Sequence, residues 1–159
     1  MRERTLVLGL GNIILGDDGV GIRVVRELKN ILVENESLTI VEASPGGLVL
    51  LDLIAGYDTV VVIDAIMSGN GKPPGSLCRL NLDDLGGIAE SFASHTLDLR
   101  TAIELGKKFG YKMPHDTHIF AVEIAENTVF REGLTPEVEK AVPSLVKDVM
   151  DVLREQGNV

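Results

Sequence analysis

A chain of 159 residues, 45% hydrophobic and 25% charged, is long enough for one substantial core and too short for two ordinary domains, so a single domain over residues 1–159 is expected. Fifteen basic against 24 acidic residues leave a formal charge of −9 with no basic cluster, which disfavours nucleic acid and other phosphate-rich partners. No apolar segment approaches the roughly 18 residues of a membrane span, and Met1-Arg2-Glu3-Arg4 leads straight into a strand-like run, so a cytoplasmic protein without membrane contact is expected. Cys78, the single cysteine, excludes an internal disulfide and any multi-cysteine metal site built from this chain alone.

Thr5 to Leu8 reads as a first strand, followed by an amphipathic helix with Val20, Val24, Leu28 and Ile31 at helical spacing. Leu38 to Glu42 is a second strand, Leu48 to Ile54 a short apolar helix and Thr59 to Asp64 a third strand. The unbroken apolar character of that third run predicts burial on both faces. Ser76 to Leu80 is a weaker strand after the turn-rich "SGNGKPPG". Leu99, Ala102, Ile103, Gly106 and Phe109 mark a helix ending near Gly110, and His118 to Ile124 a further strand. From Thr135 onward one closing helix is predicted, with Thr135 as N-cap, Pro136 at its first position and a kink at Pro143. Strands alternating with helices predict an α/β sandwich with parallel early strands and right-handed crossovers.

Ligands of such sheets bind outside the carboxyl ends of the strands. The loop after the first strand and the end of the third both fall there, so Asp18 and Asp64 are placed to converge at a solvent-accessible sheet edge. The opening stretch "LGLGNIILGDDGVG" has two other readings. As a dinucleotide fingerprint it lacks the third glycine, because Ile14 stands there, and two aspartates occupy the helix mouth that a pyrophosphate would need. As plain structure, Asp17 or Asp18 caps the helix, and Asp64 is a turn former.

His95, in "SFASHTLDL", falls in the first turn of its helix with Ser94 as N-cap. There the helix dipole disfavours imidazolium and keeps a ring nitrogen available; the plain alternative is a surface histidine. Two carboxylates and one imidazole suit a borderline divalent ion such as nickel or zinc, with open positions left for water or substrate. His115 and His118 offer a competing pair, but in a strand they face opposite sides.

"LVLGLGNIILGDDGVGIRVVREL" resembles the opening motif of the hydrogenase maturation endopeptidases, "VVVIDAI" their second acidic motif and "SHTLDL" their histidine motif. The likeness extends through "GLTPEVEKAVP" to the closing helix. It implies a three-layer α/β sandwich around a twisted, mostly parallel five-stranded sheet, and removal of a C-terminal peptide from the large-subunit precursor of a nickel–iron hydrogenase. By that resemblance Asp18, Asp64 and His95 are both the catalytic and the metal-contacting residues, leaving Asp17 as the helix cap. The nickel is carried by the substrate and no permanently bound metal is expected, although zinc or cadmium can occupy the site in vitro. The sequence departs from the family after the second strand, where Glu42-Ala43-Ser44-Pro45-Gly46-Gly47 replaces an Asp followed by glycines.

No Gly-x-Ser-x-Gly elbow is present, and nothing in the sequence brings His95 to Cys78, so a mechanism without a covalent nucleophile is expected, with cysteine-protease chemistry a minor alternative. Two rivals remain: a dinucleotide-binding α/β module, and a peptidyl-tRNA hydrolase-like hydrolase suggested by "GLGN". The latter expects Pro-Gly after the Asn where Ile13-Ile14 stand, and the acidic charge suits tRNA poorly.

Overall fold

The computed structural model describes residues 2–44, 48–87 and 94–159, the side chains of 85–87 and 94–98 excepted. Thr5–Leu10 (β1) and Thr59–Ile66 (β3) are buried at every position, which is why both read as near-continuous apolar runs. They pair in parallel, with Leu38–Ala43 (β2) outside β1 and Asp116–Glu123 (β5) on the far side of β3. Leu77–Leu80 (β4) closes that edge antiparallel to β5. The five-stranded sheet has the order β2-β1-β3-β5-β4.

Odd-numbered side chains of β3 and even-numbered ones of β2 and β5 meet Val20–Ile31 (α1) and the two closing helices, Pro136–Glu139 (α4) and Val142–Glu155 (α5). The opposite set meets Leu48–Ile54 (α2) and Ser94–Lys108 (α3). The result is the expected three-layer sandwich. No helix among the described residues is long and apolar enough to cross a membrane.

Several boundaries differ from the sequence reading, and β1 runs on to Leu10. β3 runs two residues past Asp64, because Ala65 and Ile66 keep pairing with Val122 and Glu123. β5 starts at Asp116, two residues early, since Asp116 and Thr117 complete the register with Thr59 and Val60. The closing helix is two helices. Pro143 sits in the first turn of α5, where its missing N–H costs nothing, so the chain breaks before it rather than bending around it. Short 3-10 turns at Gly16–Gly19 and Leu82–Gly87 carry no apolar period and left no pattern to read.

The amino end of β1 is tied down by Asp58, whose carboxylate accepts the Arg4 N–H at 2.7 Å and pairs with the Lys112 ammonium at 2.6 Å. The Arg4 amide first, and Lys112 second, hold the Asp58 carboxyl below its ordinary value. A lowered folded pKa gives stability that is present above the unfolded pKa, near 4, and is lost as pH falls through the folded value. D58N should therefore lose about 1 kcal/mol at neutral pH, the low end for a charged hydrogen bond because Lys112 is exposed. The difference from the parent should vanish in acid; urea midpoints at pH 7 and below pH 3 check both.

Candidate active site at the carboxyl ends of the central strands

The opening glycines have a packing use. A Cβ on Gly21 would lie 2.2 Å from the Ile63 carbonyl oxygen and 2.5 Å from that of Leu10, and one on Gly9 would lie 2.4 Å from the Gly21 carbonyl. Bare backbone lets the first turn of α1 sit directly on the ends of β1 and β3, as a helix packed tightly on a sheet requires. The Ile63 carbonyl belongs to the peptide bond that leads into Asp64, so Gly21 locks the loop carrying Asp17 and Asp18 against the Asp64 segment.

Asp18 lies in the 3-10 turn Gly16–Gly19 and its Oδ2 accepts the Asn12 N–H at 3.0 Å, closing the loop back on itself. Asp64 shares the parity of Val60, Val62 and Ile66, and so faces the α2/α3 layer. Its Oδ1 accepts the Ala65 N–H at 2.8 Å. The expected solvent-accessible edge is corrected here: Asp18 is 3% and Asp64 0% exposed. α1 presses on the loop, and β3 continues past Asp64 instead of ending there. Backbone contacts supply part of the hydrogen bonding that such burial demands.

Asp17 does not cap its own helix. Gly19 is the N-cap of α1, with no side-chain cap bond, and the Asp17 carboxylate, 7% exposed, instead accepts both the N–H and the hydroxyl of Thr135, at 2.7 and 2.8 Å. Thr135 thus spends its hydroxyl on Asp17 rather than on an α4 amide, as α4 shows no side-chain cap bond either. The carboxylate ties the loop after β1 to the start of the closing helices, 118 residues away. D17A should cost about 2 kcal/mol and T135V about half of that; denaturation of the two single variants and the double variant measures the coupling.

His95 lies in α3, whose described residues begin at Ser94, while the His95 side chain and the residues before Ser94 that bear on its capping lie outside the described residues, as do Pro45-Gly46-Gly47. Among the described residues no three His, Cys, Asp or Glu side chains form a metal-holding group. Glu42 faces α1 and forms a two-pronged ion pair with Arg26, at 2.8 Å each. The Arg26 hydrogen bonds hold its carboxyl below the usual carboxylate range. Since Glu42 shares its face with Leu38 and Ile40, it is on the opposite side of the sheet from Asp64. His118 and His115 diverge: His118 bridges Asp116 and Arg79, at 2.9 and 2.7 Å, and His115 lies 3.7 Å from Glu3. Cys78 packs against the α2/α3 layer.

The sequence reading missed Glu123. It is 7% exposed and shares the parity of Ile119 and Ala121, which face the same layer as Asp64. Its signal was an acid in the inward slot of "IFAVEIA".

The profile of the hydrogenase maturation proteases matches residues 22–152. The hydrogenase 2 maturation protease of Escherichia coli is 30% identical over 97% of this chain and 93% of its own length. The chain belongs to the hydrogenase maturation proteases. Membership agrees with the resemblance carried by the three motifs and with a peptide-bond hydrolase. A hydrogenase expression/formation protein, HupD, of Thiocapsa roseopersicina is 26% identical over 97% of this protease and 69% of its own chain. The solved structure of the E. coli hydrogenase maturating endopeptidase HybD superposes with a TM-score of 0.83 at 28% identity, covering 97% of this protease and 94% of that chain. The protease fold is therefore the α/β fold expected from the sequence.

Proposed function

We propose that this chain removes the C-terminal peptide from the large-subunit precursor of a nickel–iron hydrogenase once nickel has been inserted, and that Asp18, Asp64 and His95 recognise that nickel. The observation that carries the reading is the pair of buried carboxylates, Asp18 and Asp64, at the shared end of two neighbouring parallel strands in a chain of this family. The first rises from the loop after β1 and the second stands in β3. Two hard oxygen donors from separate segments leave coordination positions for a metal already held by another protein. Zinc or cadmium, offered alone, would take the same donors with modest affinity.

In this reading the chain's own residues do three things. Gly21 and Gly9 fix the two carboxylate-bearing segments against each other. The Asn12 and Ala65 amides hold the Asp18 and Asp64 carboxylates in one orientation, so that little reorganisation is needed when substrate arrives. Burial strengthens every electrostatic contact that the carboxylates make to a cation. Hydrolysis needs a water to attack the scissile carbonyl, a proton to leave that water and a proton to reach the departing amine. Carboxylates at this position can orient the metal-bearing segment and accept the water's proton.

Incubating the purified chain with nickel-loaded precursor and weighing the products tests this. A single cut near the precursor's C-terminus, with release of one peptide, is expected; an intact precursor, or many cuts, contradicts it.

A further inference from the structure

At Ile66, two residues along β3 from Asp64, lies a cavity of about 240 Å³, lined by Ile66, Ser68, Lys72, Cys78, Leu80 and Glu123 among others. Asp64 is paired with Ala121 and Ile66 with Glu123. The two acids therefore stand on adjacent strands and on one face, roughly 8 Å apart from ordinary strand spacing and rise. Glu123 Oε1 accepts the Ser68 N–H at 3.0 Å. Among the described residues no cation pairs with it; Lys72, on the rim, is exposed. Glu123 is 7% exposed, and one amide hydrogen bond leaves most of the roughly four acceptor positions of a carboxylate to a ligand on its cavity side, where a cation is the natural partner. The cavity walls are the apolar side chains of Ile66 and Leu80. Methylenes along such walls with a charged head on the carboxylate is how long basic side chains bury.

We infer that this cavity is a specificity pocket for one cationic side chain, a lysine or an arginine, of the polypeptide whose cleavage site lies at Asp64. The inference rests on the peptidase reading above. Glu123 is the residue that binds the ammonium or guanidinium head, and Ser68 holds Glu123 in place. Lys72 opposes the incoming charge from the rim.

The probes are methylguanidinium and n-propylammonium, titrated into the full chain at constant ionic strength and followed by the amide shift of Ser68. The expected result is a saturable shift in the parent that disappears in E123Q, whose amide oxygen can still accept the Ser68 N–H and so keeps the fold. K72Q, which removes a rim charge without touching the core, should tighten the probe severalfold. With nickel-loaded precursor, E123Q should raise KM roughly tenfold with a much smaller change in kcat. Replacing the matching basic residue of the precursor by glutamine should give the same loss, and combining it with E123Q should add little. Unsaturable shifts, equal shifts in parent and E123Q, or an unchanged probe affinity in K72Q overturn the pocket. An unchanged KM in E123Q overturns its role in substrate choice. If the parent binds the probes but leaves the precursor intact, the peptidase reading fails while the cation pocket stands.

Discussion

Asparagine at position 64 is expected to reduce cleavage of nickel-loaded precursor by at least about a hundredfold, the usual loss when an electrostatic contact to the reacting centre is removed. The choice of asparagine follows from burial. Asp64 is fully enclosed, so alanine would leave a hole and confuse lost chemistry with lost packing. Asparagine keeps the shape and an oxygen for the Ala65 N–H, and it removes a buried negative charge, so the melting temperature should hold or rise. D18N should behave alike, keeping an acceptor for the Asn12 N–H. Cleavage by either variant at the parental rate removes that residue from the site. A collapse in stability together with activity assigns it a structural role.

The second large effect is on folding. Alanine at a helix position usually stabilises by up to about 1 kcal/mol over glycine. At Gly21 the added Cβ meets two backbone carbonyl oxygens, those of Ile63 and Leu10, at 2.2 and 2.5 Å. Neither oxygen can retreat without moving a central strand, so the clash outweighs the helical gain. G21A should lose about 3 kcal/mol or more, a large part of the 5–15 kcal/mol available to an ordinary domain. Urea unfolding gives the answer, and a midpoint equal to the parent's would mean that α1 does not rest on the ends of β1 and β3. In the same variant any folded fraction should cleave poorly, because the loop carrying Asp18 is displaced from Asp64.

These two predictions show what the sequence carries. Apolar runs and helical periods determine where each element sits, so the unbroken apolar run from Thr59 and the spacing of Val20, Val24 and Leu28 were readable, as was the position of Asp18 in the loop after β1 and of Asp64 near the end of its neighbour β3. Burial of that pair was not readable. It depends on Gly21 drawing α1 onto the ends of β1 and β3 and on β3 continuing beyond Asp64 through its pairing with β5, neither of them visible in a local pattern. The Asp17–Thr135 tie joins residues too distant in sequence for any local pattern, and it displaced a capping role that local rules favour. The Arg26–Glu42 pair likewise needed the register of β2 beside α1. Glu123 was overlooked because a single acid at a strand end reads as a solvent-facing residue until its face is known.

The central claim is that these carboxylates read nickel borne by the substrate. The most direct measurement strips the enzyme with chelator, verifies by elemental analysis that it is metal-free, and offers it precursor with and without nickel in parallel. Cleavage of the nickel-loaded precursor alone is the expected result, abolished by D64N in the same assay. Equal cleavage of both forms, or activity that returns only when metal is restored to the enzyme itself, would contradict it.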